Sequence, residues 1–96
     1  MTKVVLVAGG QLEELPSDAD VWVGVDRGSL HLIEQGIVPD LAVGDFDSVS
    51  SQEFELVQRK AKEVLRAQPE KDDTDLELAV AATFERYPDA NVTIFA

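Results

Sequence analysis

The chain has 96 residues, 45 % of them hydrophobic, which suits one domain with a buried core. Its 19 acidic and 8 basic residues give a formal net charge of −11, set against nucleic-acid polymers and anionic membrane surfaces. With no cysteine, disulfides and thiolate metal sites are excluded, and no apolar run approaches the ~18 residues of a membrane span. Met1-Thr2-Lys3 leads into an apolar segment too short for a signal peptide, so a cytoplasmic location is expected.

The first element is Val4-Val5-Leu6-Val7, a continuous apolar run closed by Gly9-Gly10 that reads as a buried strand. A second strand, Val21 to Val25, follows the turn-prone Pro16-Ser17-Asp18, and Trp22 within it is expected in the core. From Ser29, the apolar Leu30, Leu32 and Ile33 suit a short helix. Gly36 can supply its left-handed cap, and Pro39 prevents continuation. Leu41-Ala42-Val43 is the third strand. Ser50 and Glu53 then have capping-box spacing ahead of Phe54 and Val57, which opens a second helix whose end the pattern leaves undefined. A fourth strand is expected at Val64 to Ala67.

Thr74 and Glu77 repeat the capping-box spacing. Leu76, Ala79, Val80, Thr83 and Tyr87 form the inner face of a third helix, which Pro88 terminates. Asn91 to Ala96 is the last strand. Alternating strands and helices with short connections imply a Rossmann-like three-layer αβα fold around a largely parallel sheet of about five strands.

Chemistry concentrates in two acidic clusters. Gly44-Asp45-Phe46-Asp47-Ser48 follows an apolar strand, and Lys71-Asp72-Asp73-Thr74-Asp75 precedes a helix. Loops at the carboxyl ends of parallel strands converge on one crevice, so the two clusters can share a ligand. Converging carboxylates need a cation, and hard oxygen donors suit Mg²⁺, which completes its shell with water and phosphate oxygens. In extended geometry Asp45 and Asp47 project to the same side; alternatively, Asp47 and Ser48 serve as turn residues. Asp72, Asp73 and Asp75 can stabilise a helix start, but three carboxylates in four residues exceed what capping requires.

Asp26-Arg27-Gly28-Ser29 is either a plain helix cap or a phosphate contact through Arg27, with Gly28 allowing close backbone approach. Gly9-Gly10 fits neither G-x-G-x-x-G nor the Walker string, so neither dinucleotide nor P-loop binding is supported. His31, without a partner nucleophile in the pattern, reads as a helix residue and not a base.

Taken in order, Asp26-Arg27-Gly28, Gly36-Ile37-Val38-Pro39-Asp40, Gly44-Asp45-Phe46-Asp47-Ser48 and Lys71-Asp72-Asp73-Thr74-Asp75 resemble the N-terminal catalytic domain of thiamine pyrophosphokinases. The resemblance runs from about residue 20 to the end. It implies transfer of a pyrophosphoryl group from ATP to the hydroxyethyl oxygen of thiamine, with Mg²⁺, to give thiamine diphosphate and AMP. By that resemblance Asp45, Asp47 and Asp75 are the catalytic and magnesium carboxylates. Asp26, Arg27, Gly28, Ser29 and Ser48 fall near the nucleotide, and Lys71, Asp72 and Thr74 face its phosphates. Asp73 falls at a variable position.

The same resemblance implies that residues 1–96 are the ATP-binding α/β domain, cut before a C-terminal β-sandwich domain that helps bind thiamine and form a homodimer. Two other readings compete. Asp45-Phe46-Asp47-Ser48-Val49 resembles the D-x-D-x-[TV] string of haloacid-dehalogenase-like phosphatases, which would make Asp45 a nucleophile and Asp47 an acid. That family carries its string on the first strand, however, and here the string follows the third. The other is a non-catalytic Mg-nucleotide-binding module.

Overall fold

The computed structural model describes residues 2–8, 15–16, 18–47, 49–67 and 75–95. Among these residues, five strands, β1 (Thr2–Ala8), β2 (Val21–Val25), β3 (Leu41–Gly44), β4 (Val64–Arg66) and β5 (Ala90–Phe95), form one sheet in the order β4-β3-β2-β1-β5. All four pairings are parallel. Among the described residues, three helices cover it: α1 (Arg27–Glu34), α2 (Ser51–Lys60) and α3 (Asp75–Arg86). The expected three-layer αβα architecture is therefore present, with every strand pair parallel.

Strand periodicity divides the core. Val4 and Leu6 of β1, with Val21, Val23, Val25, Leu41 and Val43, meet Ala79 and Ala82 of α3 on one face. On the opposite face, Val5 and Val7 meet Leu32 of α1, and Ala42 meets Val57 of α2 and Leu30. Burial on both faces explains why β1 reads as a continuous apolar run and not as an alternating one. Trp22 packs against the α1-side cluster but is only partly buried.

Several boundaries differ from the sequence expectation. Helix α1 begins at Arg27, two residues before Ser29, because Asp26 at φ 49° turns the chain sharply out of β2. The helix then lies hard against the sheet: a Cβ at Gly28 would collide with the Val7 carbonyl oxygen. At its other end Gly36, at φ 79°, completes a Schellman motif in which Ile37 N–H donates to Leu32 O and Gly36 N–H to Ile33 O.

The capping box of α2 is formed: Ser50 Oγ accepts from Glu53 N–H at 3.1 Å, and Glu53 Oε1 accepts from Ser50 N–H at 2.8 Å. Extended Ala61 ends this helix, leaving Val64–Arg66 free to pair as a short strand. The inner face of α3 comprises Ala79, Ala82 and Thr83, with Thr83 Oγ1 donating to the Ala79 carbonyl at 2.7 Å. Leu76, Val80 and Tyr87 pack beside it as partly buried residues. Its expected Thr74 cap lies outside the described residues, as do Gly9-Gly10 and Ala96.

The Gly36-to-Asp40 turn sits at the amino ends of the strands. There Asp40 Oδ2 accepts from Trp22 N–H at 2.9 Å, and Asp40 Oδ1 pairs with Lys62 at 3.2 Å. Its place in the resemblance is architectural, because it sets the entry of β3 at the end of the sheet opposite the acidic loops.

Candidate active site

The carboxyl ends of β2 and β3 are held in a fixed relation by backbone and side-chain bonds. Asp26 N–H donates to the Val43 carbonyl at 2.9 Å, and Phe46 N–H donates to Asp26 Oδ1 at 2.9 Å. Asp26 is the N-cap residue of α1 by position, yet its side chain makes no cap bond. The plain-cap reading of Asp26 therefore fails, since its carboxylate points across to the next strand's loop.

Among the described residues, two non-glycine residues have positive φ, and both are here: Asp26 at 49° and Phe46 at 60°. A bulky aromatic residue in this region costs on the order of 1–3 kcal/mol and persists only where its surroundings hold it. Phe46 is buried, with its ring 4.9 Å from that of Phe54. Gly44, at φ 150°, gives the Asp26 carboxylate room, since a Cβ there would overlap Asp26 Oδ1.

These constraints gather Asp26, Asp45 and Asp75, whose carboxylate oxygens lie within 4.8 Å of one another. They come from three elements: the β2–α1 turn, the loop after β3, and the start of α3. Because α3 lies on the opposite face from α1 and α2, the trio spans the edge of the sheet. Burial first, and then hydrogen bonding to the Asp75 carboxylate, pushes the Asp26 carboxyl up to about 7, against the downward pull of Phe46 N–H. A neighbouring pair of carboxylates resists double ionisation, so the site favours a shared proton or a cation.

The other expected site residues divide clearly. Asp47 is exposed and outside the trio, and its N–H donates to Asp45 Oδ1 at 3.0 Å. The extended alternation that would align Asp45 with Asp47 is broken by the left-handed Phe46 between them. Arg27 is exposed and meets Glu53, with Nη1 3.8 Å from Oε1. Gly28 serves the contact of α1 with β1. Ser29 is fully buried against Gly24, where an added Cβ would lie 2.5 Å from Ser29 Oγ. Ser48, Lys71, Asp72 and Thr74 lie outside the described residues.

Sequence reasoning placed Asp26 near the nucleotide and left it out of the metal set. The signal that could have promoted it was an acid immediately after an apolar strand, the same position that singled out Asp45.

A doubly wound parallel α/β sheet with three carboxylates gathered at the carboxyl ends of its strands defines a class of ligand-binding α/β protein. Residues 12–96 match the family described as "Thiamin pyrophosphokinase, catalytic domain", and the chain belongs to that family. It is 38 % identical over 95 residues to a thiamine pyrophosphokinase of Bacillus subtilis (strain 168), covering 93 % of this chain and 44 % of that protein. A solved thiamin pyrophosphokinase family protein from Enterococcus faecalis superposes with a TM-score of 0.90 at 44 % identity, over 97 % of this chain and 46 % of the other. The solved Bacillus subtilis thiamine pyrophosphokinase gives a TM-score of 0.75 at 37 % identity, over 98 % and 46 %. The chain thus spans less than half the length of these relatives.

Proposed function

We propose that this chain provides the ATP- and magnesium-binding side of a thiamine pyrophosphokinase. The protein would transfer pyrophosphate from ATP to the hydroxyethyl oxygen of thiamine, giving thiamine diphosphate and AMP. The observation that carries this reading is the convergence of Asp26, Asp45 and Asp75 at the strands' carboxyl edge, in a chain of the thiamin pyrophosphokinase family.

The donor set fits Mg²⁺. Three hard carboxylates lie close enough to share one cation, and the Asp26 carboxyl, held protonated up to about 7, gives up its proton readily to a metal at neutral pH. Asp45 and Asp75 would hold the ion, with Asp26 as the third carboxylate. When bound, the ion supplies neutralisation of the charge that spreads over phosphate oxygens during transfer.

Other residues bind and orient. Arg27 offers a planar donor fork to the phosphates from the start of α1. Asp47, on the exposed side of the same loop, is assigned to the reacting side of the site, where a carboxylate can orient the attacking hydroxyl. Ser48, Lys71, Asp72 and Thr74 are assigned to the nucleotide and its phosphates on the family strings. The same family reading assigns thiamine binding and a homodimer to the whole protein.

The phosphatase alternative is not taken, because its string would have to follow the first strand and here it follows β3. Incubating the whole protein with ATP, thiamine and Mg²⁺, and measuring AMP and thiamine diphosphate together, tests the reading. Equimolar formation of both is expected; release of inorganic phosphate without AMP would overturn it.

A further inference from the structure

One arginine at the crevice is accounted for neither by the acid trio nor by the family strings. Arg66 is the last residue of β4 and stands in register with Gly44, the residue immediately before Asp45. Ala67 N–H then donates to the Gly44 carbonyl at 2.8 Å, so the ladder continues to the carboxyl edge of the sheet. Strand alternation puts Arg66 on the face of Val64, the α2 side, where its Cζ lies 4.9 Å from the centroid of the Phe54 ring. That ring rests on Phe46, whose left-handed backbone shapes the acidic loop.

A guanidinium stacked on a ring uses its face and keeps its edge donors available. Among the described residues, those donors meet no acceptor. The preceding residue of α2, Glu53, approaches Arg27. The first turn of α2 therefore seats two guanidiniums at the carboxyl edge of the sheet, in a chain with only 8 basic residues and a net charge of −11. Covering Phe54 would need only an apolar stem; a pre-oriented fork of donors matches a phosphate.

We propose that Arg66 is a phosphate-binding residue of this crevice, contacting the nucleotide's polyphosphate from the α2 side while the acid trio takes the metal at the edge of the sheet beside it. This rests on the nucleotide reading above. Charge compensation on both flanks is what a polyanion needs in a strongly acidic protein.

The test is titration calorimetry on the full chain, with Mg²⁺ alone and with inorganic pyrophosphate or ATP in the presence of Mg²⁺. Arg66→Gln should weaken pyrophosphate and ATP by about tenfold or more, the loss expected for one charge-assisted contact, while Mg²⁺ alone binds as in wild type. Arg66→Lys should recover part of the affinity. Phe54→Leu, which keeps the charge but removes its seat, should fall between. Unchanged pyrophosphate affinity in Arg66→Gln would overturn the assignment, as would parallel loss of Mg²⁺ and pyrophosphate binding, which marks a distorted crevice. If Arg66→Gln does not fold, wild-type affinity in Arg66→Lys and Phe54→Leu together overturns it. A wild-type chain that takes up Mg²⁺ but neither ATP nor pyrophosphate overturns the nucleotide reading itself, and this assignment with it.

Discussion

The backbone N–H of Phe46 donates to Asp26 Oδ1 at 2.9 Å, and both residues hold positive φ angles, 49° for Asp26 and 60° for Phe46. One hydrogen bond thus joins two strained turns on neighbouring strands. The strain at each is supported by the other, which fixes the Asp26 carboxylate beside Asp45 and Asp75.

The acid trio should cost stability when it is empty. Asp26→Asn keeps an oxygen to accept from Phe46 N–H but removes the charge, so without Mg²⁺ at pH 8 its melting temperature should equal or exceed that of wild type. Asp75→Asn should behave alike. Both should lose most of the Mg²⁺-induced stabilisation seen in wild type, and scanning calorimetry with EDTA and with Mg²⁺ measures both effects.

Stability without metal should fall from pH 5 to pH 8. The Asp26 carboxyl has an ordinary value of 3.8 and rises to about 7 in the fold. The folded state therefore binds more protons than the unfolded chain between these values, and the contribution present below 3.8 is lost as pH rises through about 7. Asp18, Glu53 and Glu63 are shifted downwards, by Lys3, by bonding to Ser50 and by Arg86 respectively, so their contributions change only at lower pH. Melting curves across pH 5–8 should slope downwards for wild type and be flatter for Asp26→Asn. Saturating Mg²⁺ should flatten the wild-type slope too.

Metal affinity, and not rate, should separate Asp47 from the trio. In the whole protein, Asp45→Asn, Asp47→Asn and Asp75→Asn should each lower thiamine diphosphate formation by about a hundredfold or more. Asp47 is exposed and outside the trio. Asp47→Asn should therefore leave metal-free stability and Mg²⁺ affinity close to wild type, which titration calorimetry beside the rate assay would establish.

Glycine replacements should report on two close approaches. Gly28→Ala forces a Cβ into the Val7 carbonyl, and the resulting shift of α1 from β1 should cost roughly 2 kcal/mol or more. Gly44→Ala meets the Asp26 carboxylate at φ 150°, so it should lower Mg²⁺ affinity as well as stability. Urea unfolding and Mg²⁺ titration of the two variants should show metal binding affected more by Gly44→Ala.

The sequence by itself marked the order of the elements and the acidic strings that form the candidate site. Short, β-branched apolar runs bounded by Gly and turn residues read as strands buried on both faces, and the Ser50 and Glu53 spacing marks a helix start because two orphan N–H groups are satisfied there at once. The Gly-Asp-Phe-Asp-Ser string carried the acids and the family resemblance. What only the tertiary structure decided is which acids meet. Periodicity assumes a regular backbone, and the left-handed turns at Asp26 and Phe46 break it, so Asp47 leaves the group and Asp26 enters it. Strand order was likewise illegible, because it depends on pairings between distant segments. That order, with α3 crossing to the opposite face, brings Asp75 to the ends of β2 and β3 and sets Arg66 one strand away from the residue that precedes Asp45.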